Sequence, residues 1–231
     1  YLDFPDYPNL RLVKLPDVIG IKNQINMLAI MATGKYIYKS DAHCMFGKGF
    51  DEILQADMQE NWIVMPRFYV LHNTEWRVQD DRHYDYFHLC CPLTDPRGFR
   101  FKAGGHWPER TAERENKPEY MIDETPQIHG SGWFMERDFF LNKIGGFMVK
   151  DPLGHAQEPP YLGLKAWLGP WEGKVMVNKK TFYAHMHQDS RNKGFQLGHS
   201  NEEYTYNLIA SYWMNNKWEE RKYDIEWFIE R

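Results

Sequence analysis

The stretch Tyr36-Ile37-Tyr38-Lys39-Ser40 runs straight into Asp41-Ala42-His43-Cys44, and this junction constrains the chain more than any other feature. Aromatic and branched residues favour a strand, and this one stops at a carboxylate and an imidazole two residues apart. Ahead of it, Ile25, Leu28, Ala29 and Ala32 recur at helical spacing between Ile21 and Thr33, with Gly34 as a natural stop. Leu10 to Leu15 alternates as a short strand would. Behind the junction, Gly49 to Met58 reads as a second helix and Trp62 to Leu71 as a strong strand. Strand, helix, strand, acidic motif, helix, strand is an α/β order, and it predicts a largely parallel sheet flanked by helices. In such sheets ligands bind beyond the C-terminal ends of the strands, where Asp41 and His43 fall.

The rest of the chain is less regular. Residues 73–124 are polar and loop-rich, with Phe99-Arg-Phe-Lys as one arm of a hairpin, and read as an insertion shaping a pocket or interface. A strand through Ile128 to Phe134, a helix from Glu136 to Ile144 ended by Gly145-Gly146, a helix from Pro159 to Leu168 and a strand from Lys174 to Tyr183 follow. Ser200 and Glu203 form a capping box, from which a helical tail is expected to continue to the end, with Trp213, Trp218 and Trp227 clamped onto the main body. The expected division is 1–199 and 200–231.

Composition narrows the function classes. With 231 residues the chain is long enough for one sizeable domain, and its net charge of −4 argues against a DNA-coating surface. No run approaches the roughly 18 apolar residues of a membrane span. Three Cys, two of them adjacent, make no disulfide framework, so a reducing, cytoplasmic setting is expected.

Four constellations carry chemistry. A carboxylate and an imidazole on one turn, as Asp41 and His43, suit Mn2+ or a similar divalent ion. Gly130-Ser131-Gly132-Trp133 lets backbone approach a ligand closely. Gln157-Glu158 heads a helix, where a carboxylate is a cap by default and a general base in a crevice. His185 and His187 close a strand, and one of them is expected to be a metal ligand.

Together these motifs resemble the core of family-2-like GT-A glycosyltransferases, and Asp41-Ala42-His43-Cys44 is similar to the Asp-x-His motif of polypeptide N-acetylgalactosaminyltransferases. Gly130 to Phe147, with its Arg137-aromatic segment and Gly145-Gly146-Phe147 turn, follows in the same order, then Gln157-Glu158, then His185. The resemblance implies a GT-A fold, Rossmann-like and mostly parallel, ending in a helical tail. It implies that Asp41, His43 and His185 hold a divalent metal, Mn2+ first and Mg2+ second, on the diphosphate of a nucleotide-sugar donor such as a UDP-sugar. Glu158 would sit at the acceptor hydroxyl or the transferred sugar, with Gly130, Ser131, Gly132, Trp133 and Gln157 lining the sugar and acceptor pocket. Arg191 and Lys193 would fold over the diphosphate. Two departures stand out. Gln-Glu replaces the usual acidic pair, and nothing before Leu10 matches the strands that grip the nucleoside, so the domain is expected to be N-terminally incomplete.

The acceptor is open: a glycan, a peptide, or a hydroxymethylated base in phage DNA in a microbial or virus-infected cell. For the last, Arg77, Arg82, Arg97, Arg100, Lys102, Arg110 and Arg114 interleave with Tyr84, Tyr86, Phe87, Phe99, Phe101 and Trp107, as phosphate and base contacts would. A small aromatic core under a solvated loop explains the same pattern. Two further classes are a catalytically inactive domain binding sugar nucleotide or glycan, and a zinc site of His83, His88, Cys90 and Cys91, whose spacing fits no common zinc pattern.

Overall fold

The computed structural model describes residues 7–15, 17, 19–90, 101–147, 158–187 and 210–231. A seven-stranded sheet carries helices and a second, two-stranded sheet. The first elements are α1 (Ile21–Met31), β1 (Tyr36–Ser40), β2 (Cys44–Phe46), α2 (Phe50–Asp57) and β3 (Trp62–Leu71). Next come β4 (Val78–Tyr84), β5 (Phe87–Cys90), β6 (Phe101–His106), α3 (Pro108–Arg114), β7 (Ile122–Glu124) and β8 (Gly132–Glu136). The last are α4 (Glu158–Leu168), β9 (Lys174–His185) and α5 (Ile225–Glu230). The α/β class is as expected, and several boundaries fall within a few residues of the sequence reading.

The strand order is β1-β8-β3-β9-β2, with β4 also on β3 and β7 also on β9. Here the structure corrects the expectation of a mostly parallel sheet. The β3–β9 pair is parallel, whereas β1–β8, β3–β8, β3–β4, β7–β9 and β2–β9 are all antiparallel. A parallel neighbour needs a long crossover, and the short connection 72–77 allows β4 only an antiparallel place beside β3. Apolar content alone does not distinguish the two pairings.

The long central strand β3 contains Pro66, which a continuous ladder does not accommodate. Its pairing with β8 is at Ile63 and Val64, and its register with β9 shifts between Pro66 and Arg67. The proline thus sits where the ladder is interrupted. Around this strand pack Ile63, Met65, Trp133, Met135, Leu164 and Val177, all essentially sealed from solvent.

The segment after β8 was expected to be helical from Glu136. The helix is there but starts one residue later: Glu136 ends the strand, paired with Tyr36 and 3.2 Å from Lys35 Nζ, residues 137–138 are α-helical, and a π-helical turn covers Phe139–Lys143. This segment anchors α1. Arg137 donates from Nε to Ala29 O at 2.8 Å, satisfying a carbonyl that the helix end leaves open. Gly145 and Gly146 both have positive φ, and a Cβ on Gly146 would lie 2.7 Å from Asn26 Oδ1. That oxygen accepts Phe147 N–H at 2.8 Å, so the glycine turn is stapled onto α1.

Three other expectations are corrected. Leu10–Leu15 forms no strand, since no neighbouring strand pairs with it. Residues 73–124 carry more structure than a loop-rich insertion: β4 extends the main sheet, and β5 and β6 form the second one. The edge strand β4 escaped recognition because its sequence, Val78-Gln-Asp-Asp-Arg-His-Tyr84, is polar throughout its middle. The C-terminal segment is not one continuous helix. Residues 210–214 are helical, Asn216 takes φ 49°, and its Oδ1 accepts Ile225 N–H at 2.8 Å at the start of α5. Its clamp is as expected for Trp213 and Trp218, which are buried against Tyr161 and Trp171; Trp227 stacks on Tyr223. The capping box at Ser200 lies outside the described residues.

Candidate metal centre

The strand order places β1 and β2 at opposite margins of the sheet, and three residues, Asp41-Ala42-His43, connect them. Each end of this bridge is fixed. Asp41 N–H donates to Ser131 O at 3.1 Å, beyond the Ser40–Gly132 pair. His43 O accepts Met186 N–H at 3.1 Å, and Cys44 pairs with His185 across β2 and β9. Backbone pairing therefore delivers Asp41, His43 and His185 to one spot, with a ligand atom of each within 4.8 Å of the others. Among the described residues this is the one group of its kind.

The charges at the site are tightly coupled. Asp41 Oδ2 lies 3.2 Å from His185 Nε2, while Oδ1 takes the Lys39 ammonium in a very short contact. Burial opposes the charge on Asp41, but the His185 hydrogen bond and the Lys39 ammonium outweigh it and hold the carboxyl well below the ordinary range. Burial and the neighbouring His185 push His43 down, which favours the neutral ring and leaves one ring nitrogen free for a metal. One carboxylate and two imidazoles are a donor set that suits a divalent transition ion. His185 Nδ1 is buried without a hydrogen-bond partner, while Nε2 faces the Asp41 carboxylate. His187 stays outside the group, although its ring lies 4.9 Å from that of His185.

A cavity of about 630 Å³ opens beside the bridge, between α1 and β1, with Lys39, Asp41, His43 and Trp133 in its lining. Within Gly130-Ser131-Gly132-Trp133 each residue has a distinct contact. Gly130 O accepts Lys39 Nζ at 2.6 Å. Gly132 lets β8 pass Tyr38 and Tyr183, since a Cβ there would meet Tyr38 Oη at 2.7 Å and Tyr183 Cε2 at 2.9 Å. Trp133 is fully buried. Glu158 begins α4 and is buried, with Oε1 lacking a hydrogen-bond partner, and the following Pro159 packs against Gly130. Gln157, Arg191 and Lys193 lie outside the described residues.

Two neighbours went unnoticed in the sequence. Lys39 is the first; strand alternation alone puts it on the same side as Asp41. The second is His129, stacked on Phe68 at 4.6 Å. Ser131 N–H and Oγ approach its Nδ1 at 3.4 and 2.6 Å, and Tyr183 Oη lies 3.1 Å from Ser131 Oγ. A backbone N–H only donates, so Nδ1 is the acceptor and Nε2 carries the proton. Burial, with His185 and His187 nearby, pushes His129 down to about 3, so the ring is neutral.

The insertion's described cations are largely occupied. Arg77 pairs with Glu75, Arg82 with Asp80 and Arg114 with Asp123, while Tyr86 and Phe87 are core residues. Arg67 grips the fully buried Asp85 through two bonds of 2.9 and 2.8 Å. No helix among the described residues is long and apolar enough to cross a membrane.

The fold and this site together define a GT-A α/β domain with a candidate divalent-metal centre at the end of β1. The solved structures it resembles include a crystal structure of GalNAc-T7 with UDP, GalNAc and Mn2+, at a TM-score of 0.64 and 15% identity. That match covers 89% of this chain and 38% of the GalNAc-T7 chain, so it speaks for the fold. No protein-family model matches the sequence, and no curated protein matches it.

Proposed function

We propose that this chain is the catalytic part of a metal-dependent glycosyltransferase that moves a sugar from a nucleoside-diphosphate sugar, a UDP-sugar first, to an acceptor hydroxyl. The observation that carries the reading is the convergence of Asp41, His43 and His185, the first two of which line the cavity beside β1. The GT-A fold, found also in a UDP- and Mn2+-bound protein, supports it. Asp41, His43 and His185 would hold the ion, Mn2+ in preference to Mg2+, which when bound supplies positive charge to a diphosphate leaving group.

The chain's own residues do the remaining work. The backbone of Gly130–Gly132 is assigned to the sugar and acceptor side, with the buried Trp133 ring behind the cavity wall; Gln157 is assigned to the same side from the sequence motif alone. Glu158, a buried carboxylate with one unpartnered oxygen, accepts the acceptor's proton if configuration inverts, or orients the sugar if it is retained. Arg191 and Lys193 are assigned to the diphosphate from the order of the sequence motifs alone. Cysteine usage supports a reducing compartment, the cytoplasm. The acceptor is a hydroxyl on a glycan or peptide, with a hydroxymethylated DNA base as the narrower alternative.

The test is release of nucleoside diphosphate from a panel of nucleotide sugars with Mn2+ or Mg2+, with and without acceptors that include plain and hydroxymethylated DNA. Asp41→Asn is expected to abolish release, and unchanged turnover in that variant would sink the reading. Absence of metal-dependent release from every donor, alongside retained sugar-nucleotide binding, would instead establish an inactive binding domain.

A further inference from the structure

Asp41 is already satisfied from within the protein. Its Oδ1 holds the Lys39 ammonium and its Oδ2 faces His185 Nε2. Lys39 and Asp41 flank Ser40 at the end of β1, and side chains two apart on a strand share a face, so the pairing is built into the backbone. The Lys39 side chain is only 13% exposed. Its other partner is the neutral Gly130 O at 2.6 Å. An incoming dication would therefore meet an ammonium on the same carboxylate. Two like charges a few ångströms apart repel, and a half-buried ammonium deprived of its anion is costly. Lys39 also lines the cavity with Asp41 and His43, so an anion lying there is within its reach.

Resting on the reading of this centre as a metal and diphosphate site, we propose that Lys39 couples metal binding to donor binding. Without nucleotide, Lys39 and the metal compete for Asp41, and the metal binds weakly. A diphosphate gives the displaced ammonium a new anion, so metal and nucleotide bind far better together than apart. The coupling is reciprocal, because each ligand must raise the other's affinity by the same factor.

The experiment measures Mn2+ affinity from the electron paramagnetic resonance of the free ion, on the full chain, with and without UDP. Wild type is expected to gain about tenfold or more in Mn2+ affinity when UDP is present. In Lys39→Gln and Lys39→Met, Mn2+ alone is expected to bind about tenfold tighter than in wild type, with little further gain from UDP. The Gln side chain retains a donor for Gly130 O, which separates loss of charge from loss of that hydrogen bond. If both variants bind Mn2+ alone no tighter than wild type while Asp41→Asn loses it, the Lys39 proposal is overturned and the metal reading stands. If Asp41→Asn binds Mn2+ like wild type, the metal reading itself fails, and the coupling fails with it.

Discussion

Adding one methyl group at Gly132 tests how tightly packing controls the metal centre. A Cβ there would lie 2.7 Å from Tyr38 Oη and 2.9 Å from Tyr183 Cε2, against comfortable separations of about 3.5–4.0 Å. One of the two rings, or β8 itself, must then move by about 0.6–1.3 Å. Overpacking of this size costs about 1–3 kcal/mol, which for a chain of this length lowers the melting temperature by about 2–12 °C. The strain falls next to Ser131, whose carbonyl holds Asp41 N–H and whose hydroxyl joins Tyr183 to His129. Gly132→Ala is therefore expected to weaken Mn2+ binding as well as stability. The clash has a built-in control, because Tyr38 Oη is buried with no hydrogen-bond partner. Tyr38→Phe alone should be neutral or stabilising by up to about 1 kcal/mol, since it removes an unsatisfied group. In the Tyr38→Phe background the alanine should cost measurably less, with Tyr183 accounting for what remains. Chemical denaturation of the four proteins of this double-mutant cycle gives each term. A Gly132→Ala protein as stable as wild type, or an identical cost in both backgrounds, would refute the packing argument.

Three further outcomes are expected. Arg67→Met leaves the buried Asp85 without its bidentate partner, the Lys179 ammonium facing it from 3.8 Å, costing about 3 kcal/mol; a melting temperature equal to wild type would contradict this. His129 is held near 3 when folded against an ordinary 6.5, so between those values the unfolded chain binds the proton and the folded one does not. Stability should therefore fall as pH drops through that window. The depressed Asp41 acts with the same sign at the acid end, its contribution being present above the ordinary carboxylate range and lost below it. His129→Gln should flatten the upper limb of denaturation curves taken from pH 7 to 4, and a limb unchanged by that substitution would count against the assignment. Trp213→Ala removes a fully buried ring that ties the C-terminal segment to Tyr161 of α4, costing about 3–5 kcal/mol; a calorimetric melt within 1 °C of wild type would show that the ring holds little.

Local rules made much of this fold legible. Trp62–Leu71, the helix beginning at Ile21 and the one ending at Leu168 were recognisable because periodicity and β-branched content are properties of a single segment. The pairing partners were not, because antiparallel and parallel neighbours bury similar residues. Three-residue β2 is too short to show alternation, and β4 is too polar. The ligand trio was anticipated from motif order, and backbone pairing does bring Asp41, His43 and His185 together. Lys39 and His129 escaped notice for a different reason. Alternation shows that Lys39 shares a face with Asp41, but its contact with Gly130 and that of His129 with Tyr183 lie 91 and 54 residues away along the chain, and no local pattern encodes those contacts.

The three-residue bridge between the two margins of the sheet has a consequence for tracing descent. Ser40 is fixed by Gly132 and Cys44 by His185, so neither gain nor loss of one residue between them can be absorbed without breaking a ladder. Evolutionary gaps should fall in connections such as 72–77 and be excluded from 40–44. At 15% identity to a protein of the same fold, positions 40–44, a strand end followed three residues later by a histidine with no gap allowed between them, are a fixed reference from which more distant relatives can be sought.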